Sequence, residues 1–237
     1  GLARFDGVQF EIFNQYNLSA LKGDTINTLL EDSEKRLWIG TSSGGITMMQ
    51  GDLTRHYGSN VGLPAGKVWD ILEHSDGSIW VAIDGGGVAK FNGSGFEIFG
   101  SEQGLTNVSV RTLVEGTSSQ IWAGTYGGGV YKYDGKSFSP LTNHPELNQA
   151  SVSDLVLDKD GSLWIATDSG LIQFTATEVT KFRPKIGQDR FQVRTLFLDG
   201  ADLWVGTYGQ GVFRLIDKQL VHARASGSLK RAKVVSI

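Results

Sequence analysis

Leu37-Trp38-Ile39-Gly40-Thr41 is a five-residue stretch that the chain repeats four more times with small changes. The tryptophans of these copies stand at positions 38, 80, 122, 164 and 204, so successive copies are 42, 42, 42 and 40 residues apart. A constant period of this length indicates a protein built from repeated supersecondary units. The repeat therefore decides the fold, and the sixth tryptophan, Trp69, stands outside the series.

Each repeat divides into four short strands. An apolar segment such as residues 68–73 precedes the tryptophan segment, and an Asp-Gly turn at Asp76-Gly77 joins the two. A glycine-rich turn, residues 85–87 in the second repeat, leads to a third strand, and a short hairpin leads to a fourth. No window carries a sustained helical apolar period. This pattern predicts an all-β fold, a β-propeller of four-stranded antiparallel blades.

The whole chain, residues 1–237, is interpreted as a single β-propeller fragment with five complete blades. Residues 1–13 match only the third and fourth strands of a blade, and residues 230–237 match at most a first strand. Either a ring closes through this defective blade or further blades lie outside the chain, and we favour a longer native protein. An open arc would expose sheet faces and should associate. The complete blades are predicted at residues 25–57, 68–99, 110–141, 152–182 and 193–223.

The repeated tryptophans are predicted to be buried core residues, because a large aromatic side chain fills the space between two twisted sheets. We assign them a structural role and no ligand. They are Trp38, Trp80, Trp122, Trp164 and Trp204.

The composition excludes several classes of protein. The chain has no cysteine, which excludes disulfides, thiolate metal sites and cysteine nucleophiles. Its formal net charge is −3, whereas a general nucleic-acid-binding protein carries a basic surface. No apolar stretch approaches the roughly 18 residues of a membrane helix. The four histidines stand at unlike repeat positions, so we expect no metal site, no catalytic triad and no cofactor.

The repeat resembles a known family, the two-component regulator propeller repeat. The resemblance rests on L-W-I-G-T, on the following G-G-(V/L)-x-(K/R)-(F/Y)-(D/N)-G, and on a first strand ending in Glu-Asp. Residues 87–93 and 129–135 match the third-strand part of this pattern. The resemblance implies the extracytoplasmic sensor region of a membrane-bound hybrid histidine kinase or diguanylate cyclase, and therefore a periplasmic or extracellular location. It supplies no catalytic residues, because the family's motif residues are structural.

Two variable repeat positions are candidates for ligand binding. The second residue of the first strand is Asn27, Trp69, Arg111, Ser153 or Arg194, and the residue after the second strand is Ser42, Asp84, Tyr126, Asp168 or Tyr208. Antiparallel strand directions place both positions at the same axial face. Arginine forks clamp carboxylates or phosphates, and flat aromatic rings stack on sugars or bases. Solvated loop residues or salt bridges between blades are the alternative interpretation. The predicted ligand-binding residues are Trp69, Asp84, Arg111, Tyr126, Asp168, Arg194 and Tyr208.

Three functions remain open from the sequence. The first is a sensory binding module, without enzymatic activity of its own, for a small polar solute, an oligosaccharide or a neighbouring domain of the same receptor. Such a module would pair with other blades or domains, or form a homodimer. The second is a propeller lyase or hydrolase, which needs clustered acid and base groups that only Asp84 and Asp168 approach. The third is an interaction scaffold without a small ligand.

Overall fold

The computed structural model describes residues 1–43, 45–141, 144, 147–176, 178–184 and 191–223. These residues form two compact units. The first contains Gly1–Leu113 and Lys136–Phe138, and the second contains Val114–Gly135 and the described residues from Ser139 onward. Within the described ranges, every element is a β-strand apart from three short 3₁₀ turns at Ser59–Val61, Ser101–Gln103 and Thr117–Ser119.

The first unit begins with a two-stranded hairpin and continues with two four-stranded antiparallel sheets. In both sheets the strands follow one another in chain order, as in a propeller blade. The hairpin consists of β1 (Leu2–Phe5) and β2 (Phe10–Phe13). The two sheets consist of β3 (Ile26–Glu31), β4 (Leu37–Thr41), β5 (Ile46–Gln50) and β6 (Leu53–Tyr57), and of β7 (Val68–Glu73), β8 (Ile79–Ile83), β9 (Gly87–Phe91) and β10 (Phe96–Phe99).

A third four-stranded sheet contains residues of both units, and two more lie in the second unit. All three keep the same consecutive strand order. The third sheet consists of β11 (Val110–Glu115), β12 (Ile121–Thr125), β13 (Val130–Tyr133) and β14 (Phe138–Pro140). The others consist of β15 (Val152–Leu157), β16 (Leu163–Thr167), β17 (Gly170–Phe174) and β18 (Val179–Phe182), and of β19 (Val193–Asp199), β20 (Asp202–Thr207), β21 (Val212–Ile216) and β22 (Gln219–His222).

This architecture confirms the predicted all-β propeller of four-stranded blades. Residues 1–13 contain a two-stranded antiparallel hairpin, and its assignment as the second half of a blade stays a prediction. The predicted partial strand at residues 230–237 lies outside the described residues.

Four of the five repeated tryptophans are buried, as predicted, with exposed fractions of 0% for Trp38, 2% for Trp80, 8% for Trp122 and 6% for Trp164. Trp38 lies against Tyr57 of its own sheet and Phe91 of the following sheet, with ring centroids 5.8 and 5.1 Å apart. Aromatic packing between sheets is therefore the role of this position.

The prediction that all five are buried is wrong for Trp204, which is half-buried. Trp204 lies opposite Phe197 on one neighbouring strand and opposite Arg214 on the other, and Arg214 lies opposite Val221. These four side chains therefore lie on one face of the sheet. Phe197 and Val221 are each 45% exposed. Within the described part of the second unit, this face does not receive the aromatic cover that Phe91 gives to Trp38.

Candidate functional site

The two variable positions lie at the same end of each sheet. The backbone N–H after the second strand donates to the carbonyl just before the first strand in four of the sheets. The pairs are Ser42 to Thr25 at 2.9 Å, Asp84 to Lys67 at 2.9 Å, Asp168 to Ser151 at 3.2 Å and Tyr208 to Gln192 at 3.0 Å. These hydrogen bonds fix the end of the second strand beside the start of the first, as antiparallel pairing requires.

A β-bulge lies at the variable position of the first strand. The register between the first and second strands shifts between Val68 and Asp70, and likewise between Ile26 and Thr28, Val152 and Asp154, and Val193 and Thr195. The extra residue in each case is Asn27, Trp69, Ser153 or Arg194. A bulged residue leaves the regular alternation of side chains, so its side chain is free to take another direction. This explains how the position varies while the strands around it stay constant.

In the first unit the structure brings together three of the predicted site residues, Trp69, Arg111 and Asp84, which we call the Trp69 cluster. The guanidinium carbon of Arg111 lies 4.3 Å from the centroid of the Trp69 ring. Nη2 of Arg111 lies 3.5 Å from Oδ2 of Asp84. The Nζ of Lys67 lies 5.6 Å from the same indole ring. All three members of the cluster are half-buried.

The indole Nε1 of Trp69 is buried, and no hydrogen-bond acceptor lies in reach of it among the described residues. A buried N–H without an acceptor costs free energy, because water no longer solvates it. The Trp69 cluster therefore offers a cation stacked on an aromatic ring, a carboxylate and an indole donor at one end of the sheet. Arginine on the indole face is worth about 0.5–2 kcal/mol by the usual cation–π range.

The remaining predicted site residues belong to the second unit. The guanidinium carbon of Arg194 lies 5.8 Å from the centroid of the Tyr208 ring. Tyr208 is 50% exposed and Tyr126 is 60% exposed, which is unusual for large aromatic side chains. Asp168 and Arg194 are also exposed. All four side chains are exposed, in contrast to the half-buried Trp69 cluster, and the described contact among them is that of Arg194 with Tyr208.

The same two positions have a structural role in the sheet β3–β6. The side-chain N–H of Asn27 donates to the carbonyl of Val68 at 2.9 Å, and the hydroxyl of Ser42 donates to Oδ1 of Asn27 at 3.0 Å. Here the two positions form a hydrogen-bonded contact between neighbouring sheets, whereas the Arg111–Asp84 pair of the Trp69 cluster is the salt bridge between neighbouring sheets that the alternative interpretation describes. Asn27 and Ser42 were not among the predicted ligand-binding residues.

Sequence reasoning missed Asp70 and Asp154, which follow the bulged residue. Each carboxylate accepts from its own next backbone N–H, Ile71 at 2.9 Å or Leu155 at 2.8 Å. The other oxygen accepts from a strand one repeat further on, Leu113 N–H or Leu196 N–H, at 2.8 Å in both cases. The signal in the sequence was the alternation of Thr and Asp at this position: Thr28, Asp70, Thr112, Asp154 and Thr195.

The carboxylates of the two predicted acid candidates, Asp84 and Asp168, belong to different units, and Asp84 is paired with Arg111.

Across the described ranges, no three His, Asp or Glu side chains are grouped closely enough to hold a metal ion. In the same part of the chain, no helix has the length and apolar character to cross a membrane.

A family model described as the two component regulator propeller matches residues 20–43, 62–85 and 146–169. Each matched segment spans the first two strands of a sheet, including Trp38, Trp80 or Trp164. These three segments are similar to two-component regulator propeller repeats, and together they make up less than half of the chain. The matched segments coincide with the strands that carry the bulge and the buried tryptophan. No curated protein sequence matches the chain significantly.

Several solved structures share the propeller fold of this chain at low sequence identity. The extracellular domain of a protein described as a hybrid two component system from B. thetaiotaomicron is 22% identical with a TM-score of 0.72. The match covers 90% of this chain and 29% of that chain. A second such domain from B. thetaiotaomicron is 20% identical with a TM-score of 0.73, covering 91% of this chain and 31% of that one. The chain thus spans less than a third of these two relatives.

Virginiamycin B lyase from Staphylococcus aureus is also similar, with 16% identity and a TM-score of 0.70. The match covers 87% of this chain and 72% of the lyase. Likeness at this level of identity concerns the fold, and a fold alone does not determine activity.

Proposed function

We propose that this chain is a ligand-sensing propeller module from the extracytoplasmic part of a membrane-bound signalling receptor. Two observations of relatives support the proposal. Three of its segments are similar to regulator propeller repeats, and extracellular domains of hybrid two component systems share its fold. The module itself performs no chemistry in this proposal, and a separate output domain of the receptor would carry the enzymatic activity.

The observation that carries the binding role is the Trp69 cluster. The tryptophan position of this repeat keeps one residue type, whereas the second residue of the first strand varies and is Trp69 in one repeat and Arg111 in the next. Their stacked contact, the neighbouring Asp84 and the buried indole N–H together form a polar site with one aromatic wall. Such a composition suits a small polar solute that carries both acceptors and a flat or ring-shaped apolar face.

The ligand class follows from the donors. The indole N–H and the guanidinium donate hydrogen bonds, so the ligand must present oxygen acceptors. A carboxylate or a polyhydroxylated sugar ring satisfies this, and a sugar additionally offers its C–H face to an aromatic ring. Arg194, Tyr208, Tyr126 and Asp168 of the second unit provide the same residue types in a more exposed setting. We infer that they bind the same class of ligand.

Signalling in this proposal is a population shift. A ligand that binds one conformation of the receptor more tightly than another moves the equilibrium by the difference between the two binding free energies. A half-buried cluster at the ends of two repeats is a suitable place for this, because the ligand contacts both repeats at once.

Isothermal titration calorimetry against a panel of oligosaccharides and organic acids tests the proposal. We expect a binder whose affinity falls roughly tenfold to a hundredfold in Arg111→Gln, since a charged hydrogen bond contributes about 1.5–3 kcal/mol. Lys90→Gln is the matched control, because Lys90 lies 5.1 Å from the Trp80 ring in the same unit but does not belong to the cluster. Binding that Arg111→Gln and Arg194→Gln both leave unchanged would place the ligand elsewhere.

A further inference from the structure

Two cations lie near the indole ring of the Trp69 cluster. The guanidinium carbon of Arg111 is 4.3 Å from the ring centroid of Trp69, and Nζ of Lys67 is 5.6 Å from it. A ring that already stacks on a guanidinium offers less of its surface to the C–H face of a neutral sugar. The cluster is thus richer in positive charge than in free aromatic surface, which favours an anionic ligand.

The carboxylate of Asp84 is a loose partner for Arg111. Nη2 of Arg111 lies 3.5 Å from Oδ2 of Asp84, whereas a charge-assisted hydrogen bond of this kind usually measures about 2.7–2.9 Å. In the same unit, Nε of Arg36 lies only 2.5 Å from Oδ2 of Asp32. The Arg111–Asp84 pair is therefore an ion pair without the short contact of a tight one, and a better-placed anion would compete with Asp84.

The side chain of Asp84 has room to leave this position. Its backbone is fixed, because its N–H donates to the carbonyl of Lys67 at 2.9 Å. The side chain itself is 28% exposed, and that of Arg111 is 24% exposed, so water reaches both partners. A Cβ on Gly85, the next residue, would meet nothing within 4 Å. The carboxylate can thus turn towards solvent while the strand end stays in place.

The neighbouring carboxylate, Asp70, is held differently. One of its oxygens accepts from the N–H of Ile71 at 2.9 Å, and the other accepts from the N–H of Leu113 at 2.8 Å. These bonds join two neighbouring strands through backbone donors. Asp70 is therefore a fixed structural group, and Asp84 is the exchangeable carboxylate of the site.

We propose that Asp84 is an internal competitor that a carboxylate of the ligand displaces from Arg111. This inference rests on the proposed function and narrows its ligand class to carboxylates. The displaced group is itself a planar carboxylate, so a ligand group of the same charge and shape fits the guanidinium and also accepts from the indole N–H of Trp69. A neutral hydroxyl is a weaker acceptor and does not displace Asp84. Asp84 thus determines specificity, and binding breaks a salt bridge between neighbouring sheets.

Three probes test the ligand class by isothermal titration calorimetry: D-glucuronate, D-glucose and succinate. Glucuronate and glucose differ in the carboxylate, and we expect wild-type protein to bind glucuronate at least roughly tenfold more tightly. Succinate carries carboxylates without a sugar ring. Equal binding of succinate and glucuronate would assign the site to organic acids in general, whereas weaker binding of succinate would assign it to acidic sugars.

Two variants test the role of Asp84. Asp84→Asn and Asp84→Ser should each bind glucuronate about threefold to tenfold more tightly than wild type and leave the affinity for glucose unchanged, because the competing anion is gone. Serine is accommodated at the equivalent position of the first sheet, where Ser42 stands. Glu34→Gln is the matched control, since Glu34 pairs with Arg36 at 3.2 Å in the same unit and lies outside the cluster. Urea denaturation checks that each variant is folded.

Glucuronate affinity that falls or stays unchanged in both Asp84 variants overturns the proposal, because Asp84 would then support the ligand or have no part in binding. A failure of wild type and variants to bind either carboxylate probe overturns it as well. The proposed function fails separately. A neutral oligosaccharide whose binding depends on Arg111 would retain the sensor role and exclude displacement by a carboxylate, whereas a panel without any binder would contradict the sensor role itself.

Discussion

Trp38 and Trp204 occupy the same repeat position, and the difference between them shows that burial depends on the neighbouring sheet. Trp38 is fully buried under Phe91, whereas Trp204 is half-buried. The sequence pattern predicts that a tryptophan faces the space beside its sheet. It does not contain the information on whether that space is filled.

The first prediction concerns a buried member of this series. Trp122 lies 5.8 Å from Phe174 and has Lys132 5.2 Å from its ring. Trp122→Ala should lower the free energy of unfolding by about 3–5 kcal/mol, the usual cost of a large core truncation. Trp204→Ala should cost clearly less, because less apolar area leaves water at that site. Urea denaturation measures both, and equal losses would contradict the role that we assign to the neighbouring sheet.

The second prediction concerns Asp32, a buried carboxylate beside Trp38. Its buried Oδ2 accepts from the Trp38 indole at 2.7 Å and from Nε of Arg36 at 2.5 Å. Burial alone would raise the pKa of Asp32, but the hydrogen bonds from Trp38 and Arg36 outweigh it and the pKa lies below its ordinary value. Asp32→Ala leaves the indole N–H without an acceptor and should cost about 1–3 kcal/mol.

The lowered pKa of Asp32 predicts that the stability of the fold depends on pH. Because the folded pKa of Asp32 is lowered, its contribution to stability is complete above the unfolded value of about 3.9 and is lost as the pH falls through the folded pKa. Asp76, which accepts a hydrogen bond from Ser78, has a pKa lowered to about 2 and acts in the same window. Wild-type protein should lose stability below about pH 4, and Asp32→Ala should lose less over that interval. Parallel curves would refute this assignment.

At the level of elements, the sequence predicts strands well and bulges poorly. First strands predicted at residues 26–31, 68–73, 110–115 and 152–157 agree with the structure, because each is a short, mainly apolar segment followed by turn-forming residues, such as Asp76-Gly77. A bulge leaves the residue types of the strand unchanged, so the exact placement of Trp69 and Arg194 needed the observed register. The cluster of Trp69 with Arg111 required that register as well.

The glycine-rich turns give a prediction at this scale. Gly127 and Gly129 both have positive φ, +78° and +73°. A Cβ on Gly127 meets nothing within 4 Å, whereas a Cβ on Gly129 would lie 1.8 Å from the carbonyl oxygen of Leu147. Gly127→Ala should cost about 1–2 kcal/mol for the left-handed backbone alone. Gly129→Ala should cost more free energy of unfolding, because the backbone must also move. Thermal unfolding of the two variants measures the difference. Equal melting temperatures would exclude the clash with Leu147.

At the scale of the whole molecule, the proposed ligand site should respond to salt. Ligand binding at Arg111 involves a charge and should weaken as ionic strength rises when the ligand is an anion. Calorimetry at several salt concentrations measures this effect, and an affinity for an anionic ligand that stays constant would contradict a contact with the Arg111 guanidinium.

The hairpins β1–β2 and β9–β10 are nearly identical in sequence, and this has a consequence for the folding pathway. While the chain folds, β9 meets two strands of identical sequence, β2 and β10, and β1 meets the same two. Exchanged pairs satisfy the same backbone hydrogen bonds and side-chain alternation, so local interactions do not discriminate against them. Only the difference in loop length does, since β9 and β10 are joined by a short turn whereas β2 is far along the chain. Refolding from denaturant should therefore contain a slow fraction of mispaired molecules, which Ile12→Thr with Phe13→Thr in β2 should reduce.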